Sequence, residues 1–307
     1  MTESAQAANA PRIGWIGTGL MGAPMCRHLL QAGYPVTVFS RTRRSAEELV
    51  ALGAGWRDSP AEVAGDADVV MTMVGYPADV RNVVLGERGV LSSARAGSLL
   101  VDLTTSEPSL AIEIADFASK RGVESLDAPV SGGDVGARSG TLVVMVGGSQ
   151  SAFERARPIL ETFSRLVQRQ GGPGAGQHTK AVNQIAIAAG MVALSEALLY
   201  GYVAGLDLDR VLETIGGGAA GSWSMANYGP RMIGGDFEPG FKVELFVKDL
   251  GIALTEARRM NLALPGTALA EQLYVALMAQ GRGAKGTHSL LLALAELSKV
   301  EWKPAPS

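Results

Sequence analysis

Short apolar runs that end in turn residues recur from Arg12 to about Gly148, and then stop. IGWIG (13–17), PVTVFS (35–40), DVVMTMV (68–74), SLLVDLT (98–104), VESLDAPV (123–130) and TLVVMVGG (141–148) are rich in valine and leucine, with amphipathic stretches between them. Such β-then-α alternation confines a chain to a mainly parallel sheet covered by helices. After GGPGAGQ (171–177) no strand signal returns. From His178 to Val300 the pattern reads as helix, broken at Gly205, GGGAAG, GGDFEPGF, Pro265 and GRGAKG. The expected organisation is therefore α/β: a Rossmann-type domain over 12–175, an all-helical domain over 176–303, and a disordered tail at 1–11. No internal repeat, low-complexity tract or heptad pattern is visible.

With 307 residues, 47% of them apolar, the chain can bury a core in each half. A formal net charge of −3 and a single basic cluster, SRTRR, argue against nucleic acid as the main partner. The one cysteine, Cys26, cannot form an internal disulfide, which favours a reducing compartment, with the cytoplasm as the default. The opening MTESAQAANAPR lacks the charged and apolar regions of a signal peptide, and no run approaches the roughly 18 apolar residues of a membrane span. These observations leave a small molecule as the partner. The apolar richness of the helical half hints at a buried dimer surface, although helices packed within one subunit would look alike.

IGWIGTGLMGAPM places Gly17, Gly19 and Gly22, with Thr18, Leu20 and Met21 between them, after the first strand and at the head of a helix through Cys26 and Leu30. The first glycine permits a tight turn, the second lets a pyrophosphate approach the backbone, and the third lets helix and sheet pack closely. The phosphate then rests on the helix N-terminus. An acidic residue at the end of the second strand would bind the ribose 2′-hydroxyl of NAD. VFSRTRR offers Ser40, Arg41 and Thr42 instead. NADP(H) is therefore preferred and NAD(H) remains possible, since a solvated basic loop would tolerate either.

Three further stretches, DAPVSGGDVGARSGTLVVMVGG (127–148), GAGQHTKAVNQ (174–184) and FVKDLGIAL (246–254), join GTGLMGAPM in resembling the four signature regions of the β-hydroxyacid dehydrogenases. These are relatives of 3-hydroxyisobutyrate and 6-phosphogluconate dehydrogenases, and the resemblance runs from residue 12 to about 302. KAVNQ, GGGAAGS and DFEPGF most resemble the tartronate semialdehyde reductase branch. The resemblance implies oxidation of a small β-hydroxyacid, or reduction of the matching semialdehyde, with a dimer or tetramer joined through the helical half.

Such a substrate needs a carboxylate cradle and a proton-transfer group at fixed separation. Ser131 can give a hydroxyl and Gly132 and Gly133 unshielded amides, although SGG alone is also an ordinary glycine turn. Lys180 would protonate the carbonyl oxygen in reduction and accept the alcohol proton in oxidation. Without the resemblance it would be a lysine snorkelling off a helix. Asn183 and Gln184, three and four residues on, share its face and offer neutral hydrogen bonds to its amine or to substrate.

Lys248 and Asp249 read locally as an ion pair on the solvent face of a helix. The resemblance implies instead that Lys248 approaches the cofactor and Asp249 orients the site. It also implies that Thr105 faces the nicotinamide and that Met73 and Val74 line the ribose. Trp223 and Phe241 are candidate pocket walls, with core packing as the plainer alternative. His28, His178 and His288 have no metal-ligand spacing, so no metal is expected. Two rivals remain: an imine reductase on the same bilobal fold, and a non-catalytic cofactor-binding module. The carboxylate cradle counts against the first and Lys180 against the second.

Overall fold

A computed structural model describes residues 10–303. The tail expected at 1–11 therefore falls, for residues 1–9, outside the described residues. The chain divides into two compact units, with the boundary between Lys180 and Ala181.

The first unit runs β1 (Ile13–Ile16), α1 (Gly22–Gln31), β2 (Val36–Phe39), α2 (Glu47–Ala51), β3 (Gly55–Trp56), α3 (Pro60–Asp66), β4 (Val69–Thr72), α4 (Pro77–Leu85), α5 (Val90–Ser93), β5 (Leu99–Asp102), α6 (Pro108–Ser119) and β6 (Glu124–Asp127). It continues with β7 (Val130–Ser131), α7 (Gly133–Ser139), β8 (Leu142–Gly147), α8 (Gln150–Leu160) and β9 (Ser164–Gly171). The sheet order is β3-β2-β1-β4-β5-β6-β8-β7, with β9 on β8. Neighbours from β3 to β6 are parallel, whereas β8 runs antiparallel to β6 and β7 and parallel to β9. The order reverses between β1 and β4, so the loops after those strands flank the crevice where open α/β sheets bind ligands.

Both faces of this sheet are covered. Ile13, Trp15, Met71, Leu99 and Val101 belong to one apolar cluster, and Ile16, Val70 and Leu100 to another. Alternate residues of one strand thus enter opposite cores, which is why these strands read as continuous apolar runs rather than as alternation. Strand β9 gave no such run. It pairs with β8 alone, and its Arg165, Gln168, Arg169 and Gln170 leave most of it exposed or half-buried.

The boundary falls within α9 (Ala175–Val203), whose first residues belong to the first unit. The second unit holds the rest of α9 with α10 (Leu208–Gly216), α11 (Trp223–Ile233), α12 (Val243–Arg259), α13 (Pro265–Ala279) and α14 (Leu290–Leu297). The helix starts follow local chemistry. Asp207 and Ser222 accept amides at the heads of α10 and α11, and Pro265 opens α13, where its missing N–H costs nothing. The breaks at Gly205, 216–221, 234–241 and 281–286 all separate helices. Two apolar clusters result, one around Met191, Phe246, Leu250 and Tyr274 and one around Leu194, Leu198, Met232 and Leu291.

Helix α9 corrects the expectation that no run approaches the length and apolarity of a membrane span. Its best window reaches a mean hydropathy of 1.6, enough by length and composition to cross a membrane. Its buried Ala188, Met191, Leu194 and Leu198 are core residues of the second unit, so a packing role accounts for part of that character.

Candidate active site

The glycine loop follows β1 and is closed by main-chain contacts. Gly17 has φ of +98°, and a Cβ there would lie 2.1 Å from the Met73 carbonyl oxygen. A Cβ on Gly22 would come equally close, 2.1 Å, to the Gly17 carbonyl. Around a Cβ on Gly19 there is open space, with nothing within 4 Å. The three glycines therefore differ in duty: two allow backbone to meet backbone, and the middle one leaves room for a ligand. Helix α1 has no side-chain cap and no acidic residue in its first turn, so no carboxylate competes with an anion at its head. These residues fit a dinucleotide pyrophosphate.

Thr18 is buried, its Oγ1 2.7 Å from Ser45 Oγ. Ser45 Oγ also lies 3.0 Å from Ser40 Oγ and 2.7 Å from the Thr42 carbonyl. Ser45, which the sequence reading passed over, thus ties the glycine loop to the Ser40–Thr42 loop. The arginines of that loop separate. Arg43 stacks 5.4 Å from the centre of the Trp56 ring, whereas Arg41 is 91% exposed in its side chain, with Nη1 3.6 Å from Asp79 Oδ1. The carboxylate missing from the loop's own sequence thus arrives through space from α4. Leu20 is exposed and Met21 half-buried.

Along the carboxyl ends of β4, β5 and β6 runs a buried polar network. Thr72 Oγ1 donates to Asp102 Oδ1 at 2.7 Å, the Thr104 amide donates to the same oxygen, and the Val74 amide donates to Thr104 Oγ1 at 3.0 Å. The Met73 amide donates to the Ile16 carbonyl. Thr105 is half-buried beside these groups in sequence. Asp127, ending β6, accepts from the Gly174 and Gln177 amides, each at 2.8 Å. Burial pushes the Asp127 carboxyl up to about 6, against the pull of those amides.

Lys180 lies six residues into α9 and is only 6% exposed. Ser131 ends β7 and is half-buried, followed by Gly132 at φ +132° and Gly133 at φ +63°, conformations suited to glycine. Asp134 follows, paired with Arg138 at 2.7 Å. His28 Nε2 lies 3.1 Å from the Ala137 and Arg138 carbonyls, and so serves α7 rather than any ligand set.

In the second unit Gln184 and Asp249 are both buried, and Gln184 Nε2 donates to Asp249 Oδ2 at 2.6 Å. A carboxylate only accepts, so Gln184 must turn its nitrogen towards Asp249. Its oxygen is thereby left to accept from Asn183 Nδ2 at 2.8 Å. Lys248 Nζ is 3.1 Å from Asp249 Oδ1, with the lysine side chain 12% exposed. The Lys248–Asp249 pair is therefore an interior pair, not the solvent-face pair that local sequence suggests. Asn183 is half-buried. Trp223 is 64% exposed, its ring edge-on to Tyr228, while Phe241 is half-buried against Phe246. His288 is buried between the rings of Tyr228 and Phe237, and burial pushes the Cys26 thiol up. Among the described residues no group of three or more His, Cys, Asp or Glu side chains is placed to hold a metal.

Residues 12–172 match the family model for the NAD binding domain of 6-phosphogluconate dehydrogenase, and residues 174–294 the model for the NAD-binding domain of NADP-dependent 3-hydroxyisobutyrate dehydrogenase. A probable mitochondrial 3-hydroxyisobutyrate dehydrogenase-like protein from Arabidopsis thaliana is 52% identical over 96% of this chain and 89% of its own length. The 2-hydroxy-3-oxopropionate reductase of Escherichia coli is 39% identical over 93% of this chain and 97% of its own. The solved structure of Mycobacterium tuberculosis 3-hydroxyisobutyrate dehydrogenase with L-serine superposes with a TM-score of 0.86 at 32% identity, covering 93% of this chain and 99% of that one. With the glycine loop, the reversal of strand order and the matches across both units in agreement, the chain belongs to the β-hydroxyacid dehydrogenase family, NAD(P)-dependent oxidoreductases that act on a CH–OH group.

Proposed function

We propose that this protein is an NADP(H)-preferring reductase of a small semialdehyde bearing a carboxylate, of the tartronate or succinate semialdehyde type, with Lys180 as general acid. The observation that carries the reading is a lysine 6% exposed near the head of α9, followed on its own helical face by two neutral amides. A solvating lysine would project outwards, and a carboxylate in place of Asn183 or Gln184 would hold the ammonium charged and oppose the reverse reaction.

A bound reduced nicotinamide supplies the hydride. Lys180 gives its proton to the carbonyl oxygen as that oxygen gains charge, and takes it back in oxidation. Ser131, Gly132 and Gly133 hold the substrate carboxylate through a hydroxyl and two amides. Asn183, the less buried amide, is offered to substrate, while Gln184 is kept in place by Asp249. Trp223 and Phe241 serve as pocket walls. Gly17–Gly22, Met73, Val74, Thr105 and Lys248 hold the dinucleotide, with Ser40, Arg41 and Thr42 on its 2′-phosphate. Residues 12–175 thus carry the cofactor, and 176–303 complete the substrate contacts and self-associate as a homodimer or homotetramer. The exposed apolar side chains of Val182, Tyr200, Val203 and Leu269 support self-association. The lone cysteine supports a cytoplasmic site of action.

The test is a panel of aldehydes with and without a carboxylate, assayed with NADPH and NADH. Saturation that depends on the carboxylate, with higher kcat/KM for NADPH, is the expected result. Better turnover of a neutral cyclic imine than of any carboxylate-bearing aldehyde would overturn the reading in favour of imine reduction.

A further inference from the structure

The first turn of α9 is held from two sides, by groups to which the proposed chemistry gives no part. Asp127 takes the Gly174 and Gln177 amides, one on each carboxylate oxygen, and so closes the helix end that would otherwise leave its donors unpaired. The Gln177 side chain, 2% exposed, spans to the loop after β5: Oε1 accepts from the Ser106 amide at 2.9 Å and Nε2 donates to the Thr104 carbonyl at 2.7 Å. Thr104 is itself tied to Asp102 and to the Val74 amide.

Between these clamps the turn lies directly on the sheet. A Cβ on Gly176 would stand 2.4 Å from the Met145 carbonyl and 2.5 Å from that of Asp127. A Cβ on Gly147 would stand 2.3 Å from Asp127 Oδ1 and 2.7 Å from the Gly176 amide. The helix therefore cannot slide along its axis or rotate about it without breaking the hydrogen bonds of Asp127 and Gln177. Gln177 precedes Lys180 by three residues and shares its face, so fixing one fixes the other.

We propose that Gln177 and Asp127 are positioning residues for Lys180. They lock the register of the first turns of α9 against the loops after β4 and β5, which hold Val74 and Thr104–Ser106. The inference rests on the reading of Lys180 as the proton donor. It assigns a task to one residue in each of the DAPVSGG and GAGQHTK stretches to which the proposed chemistry gives no part. A general acid acts only within hydrogen-bond reach of its oxygen, so a shift of the helix by a fraction of a turn removes it from the reaction while leaving a folded, cofactor-binding protein.

Gln177→Met keeps the length and bulk of the side chain and deletes both of its hydrogen bonds. We expect kcat to fall about 10- to 100-fold, with KM and NADPH affinity each within about threefold of wild type. A general loosening of the fold would weaken all three together. In parallel, reductive methylation of Lys180, followed by peptide mass spectrometry, should run several-fold faster in Gln177→Met and in Asp127→Asn. Wild-type kcat in Gln177→Met, beside an inactive Lys180→Ala, would overturn the positioning role while sparing the lysine. Should Lys180→Ala stay active, the lysine reading fails on its own, and an unchanged methylation rate in both variants would then overturn the lock as well.

Discussion

Asp127 and Asp249 are both buried carboxylates, 5% and 2% exposed, and they are held in opposite ways. Asp127 accepts from two main-chain amides, whereas Asp249 accepts from the Gln184 side chain and pairs with the Lys248 side chain. Main-chain donors are fixed in place by the fold and cannot invert. A run of side-chain amides can: if Asp249 became a group able to donate, Gln184 and then Asn183 could each turn over. The first arrangement suits a scaffold and the second a surface that must adapt to what binds it. In this molecule the rigid kind stands at the head of the helix that bears Lys180, and the adaptable kind reaches Asn183.

The largest expected effect concerns the side chain that the rigid arrangement serves. Lys180→Ala should lower kcat by about 10²- to 10⁴-fold, the usual worth of a positioned acid, while NADPH still binds. Single-turnover rates with saturating cofactor are the measurement. A loss of less than tenfold would mean that the lock holds something other than a proton donor.

Next in size is a pH effect at Asp127, the carboxylate of the rigid arrangement. The Asp127 carboxyl stands at about 6 in the folded protein against an ordinary value of 3.8, because burial outweighs its two amides. The unfolded chain therefore loses this proton before the folded one does. Its contribution to stability is full below about pH 4, falls as pH rises through about 6, and then stays level, a loss of about 3 kcal/mol. Asp102, whose charge also raises this carboxyl, acts in the same direction. Asp127→Asn has no such step. The stability of wild type minus that of Asp127→Asn, from denaturant titrations at about pH 4.5 and 7, should therefore decrease by about 2 kcal/mol. The mismatch between the Asn amide and the main-chain donors is present at both pH values and cancels. A flat difference would mean that the carboxyl is ionised at little cost.

Asp249→Asn probes the other arrangement. Gln184 and Asn183 can reverse to satisfy the new amide, but Lys248 loses its counter-charge and Asn183 presents a different atom to whatever it meets. We expect kcat/KM to fall about tenfold through KM. An effect confined to kcat, with KM unchanged, would put Asp249 with the rigid arrangement.

What could be read from the sequence follows from distance along the chain. Gly17, Gly19 and Gly22 were legible because strand, turn and helix are contiguous, whereas Lys180, Asn183 and Gln184, though on one helical face, were singled out only through the family resemblance. The alternation of apolar runs gave the α/β half and the change to helices, but not the short β3 or the separation of β7 from β6. Asp127 was visible inside DAPVSGG yet carried no role, because its partners lie 47 and 50 residues away. Gln177 reaches back 73 residues to Thr104, and Ser45 reaches 27 to Thr18. Strand β9 escaped notice because an edge strand with polar side chains lacks the apolar run by which strands are recognised. Long-range polar pairing leaves no periodic trace.

The same contrast between fixed and adaptable holding operates, with the smallest expected effect, at the loop after β2. Arg43 is occupied by Trp56, whereas Arg41 meets the Asp79 carboxylate across 3.6 Å in an exposed setting. Asp79 Oδ2 also accepts the Tyr76 amide at the head of α4. Asp79→Asn keeps an acceptor for that amide and removes the charge that competes with a 2′-phosphate for Arg41. Exposed pairs contribute about 0.2–1 kcal/mol, so affinity for NADPH should rise only about two- to fivefold, with NADH unchanged. Screening at an ionic strength near 1 M, where the Debye length is about 3 Å, should erase most of the gain. An equal rise for NADH, or a gain indifferent to salt, would show that Asp79 acts through the helix it caps and not through Arg41.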